Sequence, residues 1–110
     1  MNQFLSALIT VIGDVQGVAY RYNAMKEAKA ISLTGYAKNM ADGSVEILAQ
    51  GEKAEIEAFI EWCKAGPSQA RVKDIKISWE LHAEKRDSFE VLGRLATTRN
   101  LCYNSTCKNI

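Results

Sequence analysis

Residues 5–31 read LSALITVIGDVQGVAYRYNAMKEAKAI and change from a strand pattern to a helix pattern. Leu5–Ile12 is rich in β-branched and aliphatic residues over a length that suits a strand, and Gly13 ends it. Beyond a short loop, apolar residues recur at helical spacings of four, four and three: Tyr20, Ala24, Ala28 and Ile31. The stretch therefore predicts a strand, a loop and a helix that ends near Ser32.

A β-hairpin is predicted after this helix. Thr34–Asn39 and Ser44–Gln50 have the length and composition of short strands, and the second places Val45, Ile47 and Ala49 on one face. Asp42-Gly43 between them is typical of a tight turn that joins two strands. The two segments should therefore pair with each other.

The remaining elements are a second helix and two strands. Gly51 begins an amphipathic helix that ends at Gly66-Pro67. Its apolar stripe contains Ile56, Phe59, Ile60 and Cys63. Val72–Leu81 again alternates apolar and polar residues, and Phe89–Leu92 is a short apolar segment that we interpret as a final strand.

The order of these elements is β-α-β-β-α-β plus a last short strand. It predicts an α+β protein, a ferredoxin-like open α/β sandwich. We expect a four- or five-stranded antiparallel sheet with both helices on one face. This architecture serves enzymes, RNA-binding modules, metal chaperones and ligand sensors, so the function has to be argued from a site.

Composition limits the partners. The chain of 110 residues is 47% hydrophobic and 25% charged, which fits one globular domain. Fourteen basic and thirteen acidic residues leave a net charge of +1, too balanced to attract nucleic acid or an anionic membrane surface. No apolar run approaches the roughly 18 residues of a membrane span. We expect neither nucleic acid nor membrane as a partner, and nothing requires more than a monomer.

The charges are distributed unevenly along the chain. Residues 1–92 hold eleven basic and all thirteen acidic residues, a net charge of −2, whereas Arg94, Arg99 and Lys108 are the only charged residues after them. We therefore predict a domain over residues 1–92 and a C-terminal extension over residues 93–110. The extension is polar and shows no clear periodicity, so we expect it to be flexible.

The cysteines point to a reducing compartment. Cys63, Cys102 and Cys107 are an odd number without the spacing of a disulfide framework, and the N-terminus lacks the features of a signal peptide. A cytoplasmic location is therefore expected. Cys102 and Cys107 have no second ligand pair for zinc, and His82 is the single histidine. The sequence also has no Walker loop and no dinucleotide-binding fingerprint, so we expect no metal and no cofactor.

The loop from Gly13 to Tyr20 is the first candidate for chemistry. No Ser, Thr, Asp or Asn directly precedes the predicted helix, so its first amide groups lack a side-chain cap. A phosphate or carboxylate would satisfy these donors at the positive end of the helix dipole, and Arg21 in the first turn can bind two phosphate oxygens. In the alternative, Gly17 acts as a mild cap and Arg21 is a solvated helix residue.

Asn39 is the second candidate because it ends a strand just before the hairpin turn. Its side chain can project from the edge of the sheet toward the start of a helix. The alternative is that Asn39 is a turn former whose side chain bonds to local backbone. The functional interpretation requires the first loop to lie nearby.

Two segments carry a family resemblance when taken together. Residues 13–21 read GDVQGVAYR, and residues 35–45 read GYAKNMADGSV and are followed by Gly51. They resemble the two signatures of the acylphosphatase family, Gly-x-Val-Gln-Gly-Val-x-aromatic-Arg and Gly-aromatic-x-x-Asn-x-x-x-Gly-x-Val. The resemblance extends over roughly residues 4–92. At position 20 the family usually has Phe, so the hydroxyl of Tyr20 must reach solvent or a partner.

The resemblance implies an enzyme that hydrolyses small acyl phosphates to a carboxylate and inorganic phosphate without metal or cofactor. By position, Arg21 would bind the phosphoryl group and Asn39 would hold the attacking water. The backbone amides that would surround the phosphate belong to Gln16, Gly17, Val18, Ala19 and Tyr20. The alternative is a non-catalytic module on the same fold that binds phosphate or another anion.

Overall fold

The computed structural model of the protein describes residues 4–80 and 84–93. The elements are β1 (Phe4–Asp14), α1 (Tyr20–Ala30), β2 (Thr34–Asn39), β3 (Val45–Glu52), α2 (Lys53–Ala65), β4 (Arg71–Glu80) and β5 (Phe89–Leu92). The predicted order of strands and helices is confirmed. The predictions made for Leu81, His82, Cys102, Cys107 and the extension beyond Gly93 lie outside the described residues.

The strands form one five-stranded sheet in the order β4-β1-β3-β2-β5. β3 pairs antiparallel with β1 and β2, and β4 pairs antiparallel with β1. The prediction of an entirely antiparallel sheet is wrong for one pair, because β5 lies parallel to β2. β4 is antiparallel to both β1 and β2, so β4 ends on the side of the sheet at which β2 begins. The chain then continues to the open edge of the sheet beside β2. β5 must then run in the direction of β2.

Both helices cover the same face of the sheet, as predicted. α1 packs on β2 and β5, and α2 packs on β1, β3 and β4. Alternate strand residues point to one face, and those that face the helices form the core. This buried cluster includes Ala7, Ile9 and Val11 of β1, Val45, Ile47 and Ala49 of β3, Tyr20, Ala24 and Ala28 of α1, and Ile56, Phe59 and Cys63 of α2.

Several predicted boundaries move by one or two residues, and β1 does not end at Gly13 but continues to Asp14. Two of the other changes have a local cause. Gly51 does not begin α2 but continues β3, where it pairs with Leu5 of β1, and the helix starts two residues later at Lys53. α1 ends at Ala30, and Ser32 has a positive φ of 64°, a conformation that no longer continues a helix. In both places, pairing or a backbone turn overrides the local residue pattern.

Candidate active site

One corner of the sheet gathers the ends of β1, β2 and β5 with the start of α1. Val45, the first residue of β3, is paired with Val11 on one side and Asn39 on the other. Lys38, the neighbour of Asn39, is paired with Leu92 of β5. The loop that leaves β1 crosses this edge of the sheet before α1 begins. The predicted site residues therefore come from segments that meet at one corner.

The exit from β1 depends on Gly13. The register between β1 and β4 shifts at this residue, and its φ is +138°. A Cβ atom at this position would lie 2.2 Å from the carbonyl oxygen of Arg71. Only glycine allows the two backbones to approach so closely. This approach directs the following residues, 15–19, across the edge of the sheet.

The start of α1 lacks a side-chain cap, as predicted. Ala19 is the N-cap residue, it has a left-handed conformation (φ 60°, ψ 27°), and no side chain in the described part of the chain bonds to cap it. The first turn contains no acidic residue. The alternative in which Gly17 caps the helix is wrong. The first amide groups of α1 are therefore donors available to an anion.

Arg21 points back toward the sheet. Its guanidinium Nη1 donates a hydrogen bond to the carbonyl oxygen of Leu92 at the end of β5. The side chain is half-buried, so the alternative of a solvated helix residue is wrong. This contact places the positive charge at the same corner as Asn39, since Leu92 is paired with the residue before Asn39.

Asn39 lies on the helix-covered face of β2, which it shares with the buried Ala37. Its Oδ1 atom is buried and accepts no hydrogen bond from any group among residues 4–80 and 84–93. The local turn is made by Asp42 instead, whose Oδ1 accepts from the amide (2.9 Å) and hydroxyl (2.6 Å) of Ser44. These bonds lower the pKa of Asp42 below its ordinary value. The unpartnered Oδ1 of Asn39 is a buried acceptor that a ligand or water would satisfy.

The side chain of Gln16 has a role that sequence reasoning missed. Its Nε2 donates to the carbonyl oxygens of Met40 (2.8 Å) and Ser44 (2.9 Å), on either side of the hairpin turn. The loop after β1 is thus tied to the hairpin that carries Asn39. The one signal in the sequence is that Gln16 is the only polar side chain in residues 15–19, where its two amide hydrogens need acceptors.

Residues 4–80 and 84–93 contain no group of three or more His, Cys, Asp or Glu side chains placed to hold a metal ion. Neither α1 nor α2, the helices of the described chain, is long and apolar enough to cross a membrane. The polar groups described at the site are backbone amides, the guanidinium of Arg21 and the carboxamides of Asn39 and Gln16.

Comparison with known proteins decides the family. The family model described as Acylphosphatase matches residues 7–91, which include the loop, Arg21 and Asn39. The chain belongs to the acylphosphatase family. An acylphosphatase of Anaeromyxobacter sp. (strain Fw109-5) is 42% identical over 91 residues, which are 83% of this chain and 98% of that protein.

Solved acylphosphatase structures share the fold. The acylphosphatase from Bacillus subtilis is 38% identical with a TM-score of 0.78, and the match covers 80% of this chain and 98% of that one. The acylphosphatase from Coxiella burnetii is 36% identical with a TM-score of 0.78, over 82% of this chain and 94% of that one. The predicted ferredoxin-like α+β class is confirmed by these acylphosphatase neighbours.

Proposed function

We propose that this protein hydrolyses the carboxyl–phosphate bond of small acyl phosphates to a carboxylate and inorganic phosphate, with Arg21 and Asn39 as its catalytic residues. The observation that carries the assignment of the site is the position of the buried Oδ1 of Asn39, which has no hydrogen-bond partner within the described part of the chain. It lies at the corner where the uncapped start of α1 and the guanidinium of Arg21 meet. The acceptor can hold a water molecule, and the donors can bind the oxygens of a phosphate.

The phosphate is bound by donors alone. The amide groups proposed to surround its oxygens belong to Gln16, Gly17, Val18, Ala19 and Tyr20. They lie at the positive end of the α1 dipole, and Arg21 adds a full charge with further donors. Because residues 1–92 carry a net charge of −2, attraction of an anionic substrate depends on this local arrangement. The link between Gln16 and the hairpin supports it by fixing the loop.

Asn39 orients the nucleophile. Its Oδ1 accepts a hydrogen from the water, which directs a lone pair of the water oxygen toward phosphorus. The new P–O bond forms as the bond between phosphorus and the acyl oxygen breaks, and the acyl group leaves as a carboxylate. The water proton passes to an oxygen of the substrate phosphate. A carboxylate whose conjugate acid has a pKa of about 4 to 5 leaves without a general acid.

This chemistry is compatible with a site built from amides, Arg21 and Asn39. Phosphoryl transfer requires little covalent participation from the protein. Positioning of the reactants and stabilisation of charge supply most of the reduction in activation free energy. No cofactor is part of the proposal. The substrate is a small molecule rather than a nucleic acid, a choice supported by the net charge of +1.

We extend the proposal to the organisation of the protein. Residues 1–92 form the catalytic domain and residues 93–110 an extension, a boundary supported by the family match over residues 7–91. The protein acts as a monomer in the cytoplasm. The monomer is supported by the proposed site, whose residues all come from one chain. The reducing compartment is supported by Cys63, which is a buried free thiol within the described residues. Light scattering after size-exclusion chromatography tests the monomer.

The assay that tests the proposed function is hydrolysis of benzoyl phosphate by the full chain, with and without EDTA. We expect turnover that EDTA does not change and that Arg21→Lys strongly reduces. Folded protein that binds inorganic phosphate without turnover would instead support the non-catalytic anion-binding module. Loss of turnover in EDTA would show that a metal is required and would contradict the proposal.

A further inference from the structure

Tyr20 connects the start of α1 to the end of α2. It is the first residue of α1 and is 1% exposed. Its hydroxyl donates a buried hydrogen bond of 2.7 Å to the carbonyl oxygen of Cys63, 43 residues away. The hydroxyl has found a partner rather than solvent.

The carbonyl of Cys63 lacks its usual helical donor. In a continuing helix it would accept from the amide of the residue four positions later, but that residue is Pro67, which has no N–H. The amide of Gly66 bonds to Trp62 instead, at 2.8 Å. A buried carbonyl without a donor costs about 1 to 3 kcal/mol. Tyr20 therefore acts as the cap of α2 from a different helix.

The ring of Tyr20 is held as firmly as its hydroxyl. Gly66 has a positive φ of 68°, and a Cβ atom there would lie 2.9 Å from Cε2 of Tyr20. The ring also packs against Trp62, with ring centroids 5.4 Å apart. Burial raises the pKa of the Tyr20 hydroxyl well above its ordinary value of 10.0, which keeps the hydroxyl a donor over the working pH range. The first turn of α1 is thus packed against, and hydrogen-bonded to, the C-terminal end of α2.

We propose that Tyr20 is a positioning residue of the phosphate site, whose hydroxyl fixes the first turn of α1, and with it the amide groups of residues 16–20, to the C-terminal end of α2. The inference rests on the proposed function, because the amide of Tyr20 is one of the proposed phosphate donors. The neighbouring N-cap, Ala19, holds a left-handed conformation that alanine adopts only when its surroundings enforce it. The bond to Cys63 supplies part of that enforcement.

The expected change in phosphate affinity depends on the fraction of molecules that hold the loop in its binding conformation. If only a fraction of the molecules hold the loop in the binding conformation, the apparent dissociation constant rises by the inverse of that fraction. Saturating substrate restores the conformation, so KM should rise while kcat changes little. A hydrogen bond of ordinary strength corresponds to about a fivefold change. We expect that change in phosphate affinity and in KM when the hydroxyl is removed.

The test compares Tyr20→Phe with Tyr36→Phe in the full chain. Tyr36 is a matched control, because its hydroxyl also makes a 2.7 Å hydrogen bond, to Glu46, but on the face of the sheet away from the helices. Inorganic phosphate binding is measured by calorimetry, and benzoyl phosphate hydrolysis gives KM and kcat. Tyr20→Phe should raise the phosphate Kd and KM together about fivefold, with kcat within about twofold of the unmodified protein. Tyr36→Phe should leave all three constants unchanged.

Amide hydrogen exchange in the unmodified protein is a further readout. In the unmodified protein, saturating phosphate should slow amide exchange at Gly66 as well as in residues 16–20, because coupling between two sites is reciprocal. Unchanged exchange at Gly66, or an unchanged phosphate Kd in folded Tyr20→Phe, would overturn the positioning role. The phosphate measurements do not depend on turnover, so failure of the hydrolysis assay alone would contradict the proposed function and leave this test intact.

Discussion

The guanidinium of Arg21, in the first turn of α1, is hydrogen-bonded to the carbonyl oxygen of Leu92 at the end of β5. The two residues are 71 positions apart, and β5 reaches this place only because it runs parallel to β2 at the edge of the sheet. One nitrogen of the guanidinium is thereby fixed by the backbone, and the remaining donors of the planar group are oriented rather than free to rotate. A lysine could not be held in this way and still offer two parallel donors to a phosphate.

Replacement of Arg21 should therefore affect binding and rate together. We expect Arg21→Ala to raise KM and to lower kcat/KM for benzoyl phosphate by about 100-fold or more, because the phosphate loses a charged, bidentate partner. Arg21→Lys should recover only a small part of the loss. Arg86→Lys is the matched control, since Arg86 lies over the ring of Tyr36, away from the site. Wild-type kinetics in Arg21→Lys would contradict the bidentate role.

Replacement of Asn39 should chiefly lower kcat. Asn39→Ala removes the acceptor that orients the water but leaves the phosphate donors in place, so we expect about a 100-fold loss in kcat with little change in KM. Asn39→Asp keeps an acceptor oxygen and adds a negative charge beside the phosphate, and should raise KM as well. Steady-state kinetics on benzoyl phosphate separate the two effects. Equal defects of KM and kcat in Arg21→Ala and Asn39→Ala would refute this division of roles.

Gln16 should be needed to hold the loop against the hairpin. Gln16→Ala removes the two hydrogen bonds to the carbonyls of Met40 and Ser44, although each carbonyl keeps one backbone donor, from the amides of Gly43 and Met40. We expect a loss of about 1 to 2 kcal/mol in unfolding free energy together with weaker phosphate binding. Gln16→Glu should be worse, because a carboxylate would face two carbonyl oxygens. Urea denaturation and phosphate titration measure both effects. Gln69→Ala, at an exposed position, is the control that should change neither.

The buried thiol of Cys63 should make stability depend on alkaline pH. Burial raises its pKa to about 12 from an ordinary value of 9.0, so the unfolded chain loses this proton at lower pH than the folded chain. The stability due to the neutral thiol is complete below pH 9 and is lost as the pH rises from about 9 toward 12. The stability advantage of the unmodified protein over Cys63→Ala, measured in urea at pH 7 to 10.5, should shrink with rising pH. A constant advantage would contradict the shifted pKa.

Local elements of this fold can be predicted from the sequence because their causes are local. The Asp42-Gly43 turn lies between two strands that must pair with each other, and the bounds of β2 agree with the prediction to the residue. The uncapped start of α1 could also be predicted, because no Ser, Thr, Asp or Asn directly precedes it. In each case the deciding residues are neighbours in the chain.

The remaining features depend on contacts between distant segments. β5 is parallel because of where the chain crosses after β4, and Gly51 stays in a strand because it pairs with Leu5. The side chains of Gln16 and Arg21 bond to backbone carbonyls. Every residue has such a carbonyl, so the identity of the residues in the sequence does not reveal which ones are the partners. Local sequence and the family signatures both point to Arg21 and Asn39, whereas the contacts that support them are visible only in three dimensions.

Hydrolysis of benzoyl phosphate in water enriched with oxygen-18 shows which atom of the substrate the water attacks. If water held by Asn39 attacks phosphorus at a site formed by Arg21 and the loop amides, mass spectrometry should find one labelled oxygen in inorganic phosphate and none in benzoate. The experiment is run in EDTA with the full chain, and the slower hydrolysis without enzyme is subtracted. Label in the benzoate would mean attack on the carbonyl carbon and would contradict the account.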